Sequence, residues 1–338
     1  WVEYGLEDFA LSTPHRATGG GDGIPVMGLK AGRSYQMRGV TEVDGELRYT
    51  ESQQVQLAAV PSWYSQFSKV QHDVAKAEMS DRYVLVGMAR SLIEGFDDVG
   101  AYVAILDSDG DYVWYHDLPA ARGSVSPSLV GNRVMWDEYD AYVYEDLAQV
   151  ATVSLDGLSG VGRTRLPEGH HQVIQPEPGL FAYVAREYMP IEVDGGPLTA
   201  RSDRIREVAE GGTDDPVEGL NLFEDHFAGA FHWPCVHTVT PHDTPDQGPV
   251  VEWSHSNSIA KVGDDYLMYS RWIDTLFRAD RQGNLIWTMG GPKSDFTFPS
   301  GDPVWTSATE SPLWSHGHFT HAWEGGLVLF DNNTHARP

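Results

Sequence analysis

Asp280-Arg281-Gln282-Gly283-Asn284-Leu285-Ile286-Trp287 repeats the Asp, Gly and Trp positions of an earlier stretch, Asp107-Ser108-Asp109-Gly110-Asp111-Tyr112-Val113-Trp114. Each copy reads as a turn of small and polar residues leading into a strand that ends on a large aromatic anchor. The copies begin 173 residues apart, room for about four units at the ~40–45 residues of a propeller repeat. From Tyr83 onward the chain reads as strands and turns throughout.

A second repeat lies around the later copy. His171 precedes Gly179, His255 precedes Gly263 and His318 precedes Gly326, each by eight residues. After each Gly an apolar strand returns: Leu180 to Val184, Tyr266 to Tyr269, and Leu327 to Phe330. A similar hairpin around Gly131 has Gly123 where the His would be, so the histidine is not a requirement of the hairpin itself. If these hairpins are the inner strands of successive blades, their starts face one central channel. Three histidines separated by 84 and 63 residues in sequence then converge on one mouth.

Toward the N-terminus, residues 1–60 read as short strands and Gly-rich turns. Leu29-x-x-Gly32-x-x-Tyr35 leads into an alternating strand through Val40, and resembles the later strands of a fibronectin type III sandwich. The expected organisation is a partial fibronectin type III-like β-sandwich (1–60), a linker (61–80) and an all-β propeller (81–338). Gly19-Gly20-Gly21-Asp22-Gly23 is a turn, since no Lys-Ser or Lys-Thr follows to make a phosphate loop.

Charge narrows the partners. The formal net charge is −26 and only 5 of the 23 basic residues are lysine. Such a field repels nucleic acid and anionic lipid, and an anionic substrate must be met by a local cluster of Arg and His. No stretch reaches the ~20 apolar residues of a membrane helix. Cys235 is the single cysteine, so no intrachain disulfide forms.

Glu252-Trp253-Ser254-His255-Ser256-Asn257-Ser258-Ile259 resembles the arylsulfotransferase signature D-W-x-H-x-N-S-V/I. Ser270-Arg271, the Phe277 to Gly291 strand pair, His170-His171-Gln172 and the run from His318 to Phe330-Asp331-Asn332 resemble further motifs of that family, in order along residues 80–338. Gln172 stands where the family usually has Asp, and Gly317 where it has Gln before its last His. The His318 segment is one residue short, leaving His316 and His321 as rival assignments.

The resemblance implies a nucleotide-independent enzyme, without cofactor or metal, that moves a sulfuryl group between small phenolic donors and acceptors by a ping-pong route. It implies His318 as nucleophile, His255 as acid/base, and Arg271 with His171 on the sulfuryl oxygens. Asn257, Trp253 and Trp272 are expected to bind substrate, with Trp314 and Trp323 near enough to stack. It also implies a periplasmic or extracellular protein and a six-bladed propeller, of which this sequence lacks the C-terminal blade.

These residue types suit the chemistry. Neutral imidazole is nucleophilic near neutral pH, and a guanidinium fork grips two oxygens at once. Isolated histidines in β proteins are more often structural, and His170, His226, His232 and His335 are read so. Two alternatives stand beside the enzyme reading: a propeller that binds a ligand without chemistry, and a metal-dependent hydrolase or oxidase. The His316/His318/His321 and His232/Cys235/His237 groupings invite metal, but neither has standard zinc spacing. Asn332-Asn333-Thr334 fits a glycosylation acceptor.

Overall fold

A computed structural model describes residues 1–15, 23–64, 83–88, 101–118, 125–139, 146–156, 159–193, 196–212, 217–221, 237–239, 250–305, 313–323 and 325–332. His226, His232, Cys235, His335, the Asn333-Thr334 pair and most of the expected linker lie outside them. All described secondary structure is β, and the chain divides into two compact units.

The first unit comprises residues 1–136 and 152–162. Its long strand Ser34–Val43 carries Val2–Gly5 on one edge, and Glu46–Tyr49 and Gln53–Gln56 along the other. The hairpin turns on Asp44-Gly45, both with positive φ, the twist that a two-residue hairpin loop requires. Within Leu29-x-x-Gly32-x-x-Tyr35, the Lys30 backbone N–H donates to the Tyr35 hydroxyl at 2.9 Å. This unit also holds the antiparallel meander Val84–Met88, Ala101–Leu106 and Tyr112–Leu118.

The second unit comprises residues 137–151 and 163–338. Leu180–Val193 pairs with Gly162–Glu177 on one side and with Gly196–Ala209 on the other. Val250–Glu252 joins Gly196–Ala209 in parallel. Ser256–Val262, Asp265–Ser270, Thr275–Ala279 and Leu285–Gly290 then form a four-stranded antiparallel meander, the form of a propeller blade. The hairpin His318–Trp323 and Gly326–Phe330 follows.

Asp265–Ser270 shows why these sheets stack. Its apolar run is buried on both faces rather than alternating in and out. Tyr266 and Met268 pack with Ala182, Val184, Ile205 and Trp253 on one face. Leu267 and Tyr269 pack with Trp314, Ala322, Leu327 and Leu329 on the other. Three successive sheets are therefore pressed face to face in chain order, a propeller-like arrangement.

Both Asp-x-x-Gly repeats fold alike. Gly110 N–H donates to the Asp107 carbonyl and Gly283 N–H to the Asp280 carbonyl, each at 3.0 Å. The two glycines have φ of 86° and 89°. In both hairpins the register slips at the same step: Ile105 pairs with Trp114 and Leu106 with Tyr112, as Arg278 pairs with Trp287 and Ala279 with Leu285.

The His-to-Gly spacing conceals differences. The left-handed turn glycines are Gly179, Gly263 and Gly325, so the third is not Gly326. Residues Ser256 and His318 open their strands, whereas His171 sits inside the 16-residue strand Gly162–Glu177, where the register shifts between His170 and Val173. An irregularity also follows Ser256 and His318, so all three hairpins bend near their histidine.

Candidate functional site

Side-chain bonds draw the bent parts of the three hairpins together. The Gln172 side-chain oxygen accepts the Ile259 N–H at 3.0 Å, and Asn257 Nδ2 donates to the Gly317 carbonyl at 2.9 Å. Ser258 and Thr320 join their hydroxyls at 2.9 Å. Gln172 thus ties the first hairpin to the second.

The rings of His171 and His255 lie 4.8 Å apart, centre to centre. Trp272 follows at 5.1 Å from His255, and His316 stands edge-on to Trp272 at another 5.1 Å. The Arg271 guanidinium lies over the Trp272 ring at 4.5 Å. The backbone fixes this order, since Arg271 N–H donates to the His255 carbonyl and Trp272 N–H to that of Ser254. His171, His255, Asp274 and His316 all adopt positive φ. Each such non-glycine residue costs on the order of 1 kcal/mol, held in place by the surrounding bonds.

Two buried carboxylates orient the histidines. Glu252 Oε2 lies 2.9 Å from His255 Nδ1 and receives the Trp272 Nε1 hydrogen at 3.2 Å, and Glu252 pairs with the Arg201 guanidinium. Asp203 Oδ1 lies 2.9 Å from His170 Nε2, and Asp203 receives the Ser254 hydroxyl and the Ser256 N–H. Burial works to raise Asp203, but His170 and these hydrogen bonds outweigh it and hold the carboxyl at about 2.

His318 Nδ1 lies 3.1 Å from the His316 carbonyl and 2.9 Å from the Asn332 amide. Burial first, then the positive charges of Arg271 and His255, hold His318 below the ordinary histidine range. Burial and the charges of His170, His255 and His318 hold His171 well below it. His171, His255, Arg271 and His318 therefore share one electrostatic neighbourhood.

The rival histidines are placed differently. His316 is buried, and its N–H donates to Asp274 Oδ1 at 2.6 Å. His321 is exposed and stacks on Phe319. Asp274 also receives the Tyr269 hydroxyl at 3.1 Å, and burial raises its carboxyl to about 6. Gly291, just after the strand Leu285–Gly290, is sterically required: a Cβ there would lie 1.8 Å from Thr275 Oγ1, at a φ of 62°.

Among the expected aromatic contacts, Trp272 lies within the histidine group. Trp253 is fully buried in the core, Trp314 donates Nε1 to the Asp274 carbonyl at 2.8 Å, and Trp323 is exposed. Asn257 is buried with one amide N–H committed to Gly317. Glu252 and Asn332 lie inside the family-like motifs at positions whose residue type alone does not mark them, and Asp203 carries no sequence signal. The three carboxylates Asp107, Asp109 and Asp111 lie close enough to share a cation, but the Lys30 ammonium already sits among them.

The family model described as Arylsulfotransferase (ASST) matches residues 69–337. No curated protein matches the chain. Among solved structures, a catalytically inactive virginiamycin B lyase from Staphylococcus aureus with quinupristin is similar at 11% identity, covering 75% of each chain with a TM-score of 0.34. A chain of a nidogen/laminin complex is similar at 10% identity and a TM-score of 0.25, covering 78% of this chain and 91% of that one.

Proposed function

The chain belongs to the arylsulfotransferase family, and we propose that it moves a sulfuryl group from a phenolic sulfate ester to a phenolic acceptor through a sulfohistidine. The observation that carries this reading is the grouping of His171, His255, Arg271 and His318, with His318 biased toward its neutral form. In the first half-reaction His318 Nε2 attacks sulfur and the S–O(aryl) bond breaks. Protonated His255 delivers its Nε2 proton to the departing phenolate. Arg271 and His171 hold sulfuryl oxygens as charge redistributes.

In the second half-reaction the acceptor hydroxyl gives its proton to His255 Nε2 and its oxygen attacks the sulfur on His318. The N–S bond breaks and neutral His318 returns. Glu252 stabilises the imidazolium form of His255 between the two steps. Trp272 presents a flat apolar face beside these groups for a phenol ring. We read the stacked sheets as successive blades of a propeller, six-bladed and preceded by a fibronectin type III-like part as the family resemblance implies, in a protein with a periplasmic or extracellular setting. No described helix is long and apolar enough to cross a membrane.

Incubation with 4-nitrophenyl sulfate and a phenol tests the reading. The expected result is 4-nitrophenol release that depends on the phenol and yields its sulfate ester, with no response to a nucleotide sulfate. Strict dependence on a nucleotide sulfate, or release of free sulfate in place of the ester, would overturn it.

A further inference from the structure

We propose that Tyr269 is a positioning residue: through the His316–Gly317 peptide it keeps the proton of neutral His318 on Nδ1 and leaves Nε2 as the lone pair. Its consequence for turnover rests on the role proposed above for His318 as nucleophile. Tyr269 lies on the strand Asp265–Ser270 and is fully buried. Its hydroxyl donates to Asp274 Oδ1 at 3.1 Å, and its oxygen accepts the Gly317 N–H at 3.0 Å. The carbonyl at the other end of that same peptide, belonging to His316, lies 3.1 Å from His318 Nδ1.

Each link has one possible direction, because a peptide N–H can only donate and a carbonyl can only accept. The Tyr269 hydroxyl therefore accepts from Gly317 and gives its own proton to Asp274. His318 Nδ1 must likewise carry a proton to bond with the His316 carbonyl. Burial first, then the Asp274 carboxylate, hold the Tyr269 hydroxyl well above its ordinary range, so it keeps the proton that this series of bonds needs. Hydrogen bonds in series polarise one another, and donation by the Gly317 N–H makes the His316 carbonyl a stronger acceptor. Neutral His318 with its proton on Nδ1 has its lone pair on Nε2, the atom that attacks sulfur.

The opposite tautomer needs Nδ1 to accept, and the Asn332 amide nitrogen, 2.9 Å away, would supply the proton. Freedom to turn decides between the two neighbours. The His316–Gly317 peptide cannot swing its carbonyl away. The His316 N–H is bound to Asp274 Oδ1 at 2.6 Å, the Gly317 N–H to Tyr269, and the Gly317 carbonyl receives Asn257 Nδ2 at 2.9 Å. A Cβ on Gly317 would fall 2.9 Å from Tyr269 Cζ, so only a glycine lets the peptide approach the ring this closely. Asn332 is exposed, and a half-turn of its amide presents an oxygen at the same place. A lone pair on Nδ1 would face the fixed carbonyl oxygen across 3.1 Å, whereas a proton there meets two acceptors.

Nitrogen-15 NMR of the histidine-labelled protein without substrate, at a pH where His318 is neutral, reads the tautomer, with His318 assigned by its absence in His318→Asn. The expected result is a proton on Nδ1 in the wild type and a gain of Nε2-protonated His318 in Tyr269→Phe, which keeps the buried ring and removes only the hydroxyl. Tyr266→Phe is the control: it removes a buried hydroxyl, bonded to Glu207, from the other face of the same strand and should leave His318 as in the wild type. With 4-nitrophenyl sulfate, Tyr269→Phe should lower kcat roughly tenfold, the worth of one hydrogen bond, with KM nearly unchanged. An Nε2 proton in the wild type, or an unchanged tautomer in folded Tyr269→Phe, would overturn the proposal. Should Tyr269→Phe not fold, the wild type is read by the scalar coupling between His318 Nδ1 and the His316 carbonyl carbon, and by hydrogen exchange at the Gly317 N–H. A measurable coupling and slow exchange are expected; no coupling, or exchange as fast as at an exposed amide, would overturn it. A tautomer shift with unchanged kcat would sink the reading of His318 as nucleophile and leave the positioning by Tyr269 standing.

Discussion

Glu252 Oε2 lies 2.9 Å from His255 Nδ1 while also receiving the indole N–H of Trp272 at 3.2 Å. One carboxylate therefore sets the ring orientation of the acid/base candidate and of the flat aromatic face beside it. Glu252→Gln should lower turnover about a hundredfold, within the range for disabling a general acid–base. The loss should be smaller for donors with acidic phenols, which leave without help. An equal loss for acidic and weakly acidic phenols would contradict the assignment. The same change removes the charge that faces buried Arg201 at Glu252, so unfolding should also become easier by about 3 kcal/mol, read as a lower denaturation midpoint.

Arg271 is placed by its backbone bond to His255 and by stacking on Trp272. Arg271→Lys keeps the charge but loses both the planar fork and the stack. The expected cost is about 3 kcal/mol in kcat/KM, roughly a hundredfold. Steady-state kinetics with turnover unchanged would make Arg271 a structural residue only.

The depressed basicity of His318 predicts the pH profile of the first half-reaction. The nucleophile works when neutral, so lowering the pH should reduce the single-turnover rate along an acid limb whose midpoint lies below 6.5. A donor such as 4-nitrophenyl sulfate, whose phenol is acidic, isolates this limb from the protonation of His255. An acid limb centred at or above 6.5 would contradict the electrostatic account.

The backbone repeats of this fold were legible because they are local. Asp107 and Asp280 shape turns within four residues of themselves, and identical spacing gave identical hairpins. The burial of Tyr266 to Tyr269 on both faces likewise follows from an uninterrupted apolar run. The supports of the site were not legible. Asp203 meets Ser254 across 51 residues and Asn332 meets His318 across 14, with no periodic signal joining either pair. The eight-residue spacing grouped His318 with His171 and His255, whereas the left-handed backbone groups His316 with them. Bulges separate chain position from side-chain position, so equal spacing did not mean equal geometry.

Asp274 predicts a stability effect with a defined sign. Its folded value of about 6 lies above the ordinary 3.8, so the native state retains this proton where the unfolded chain has lost it. The resulting stabilisation is full below about pH 4 and disappears as pH rises through 6. The difference corresponds to roughly 3 kcal/mol. Asp274→Asn keeps an oxygen for Tyr269 and the His316 N–H but cannot ionise, so its stability relative to wild type should rise between pH 4 and 7. Parallel curves from thermal denaturation across that range would contradict the prediction.

Gly291→Ala should prevent the Thr275 strand from seating. The added Cβ would fall 1.8 Å from Thr275 Oγ1 and 2.6 Å from the Ile273 carbonyl. Both atoms border Asp274 and the His316 turn, so the damage should reach the site as well as the core. A variant with wild-type melting behaviour and turnover would contradict this packing.

The central claim is that His318 carries the sulfuryl group between donor and acceptor. Incubating the protein with an aryl sulfate and no acceptor, then mapping the modified peptide by mass spectrometry, tests it most directly. The account predicts one sulfuryl group on His318, discharged by added phenol, abolished by His318→Asn and reduced but present in His255→Asn. Modification of His316, His321 or His255 in its place would contradict the residue assignment, and turnover without any sulfated histidine would contradict the covalent mechanism.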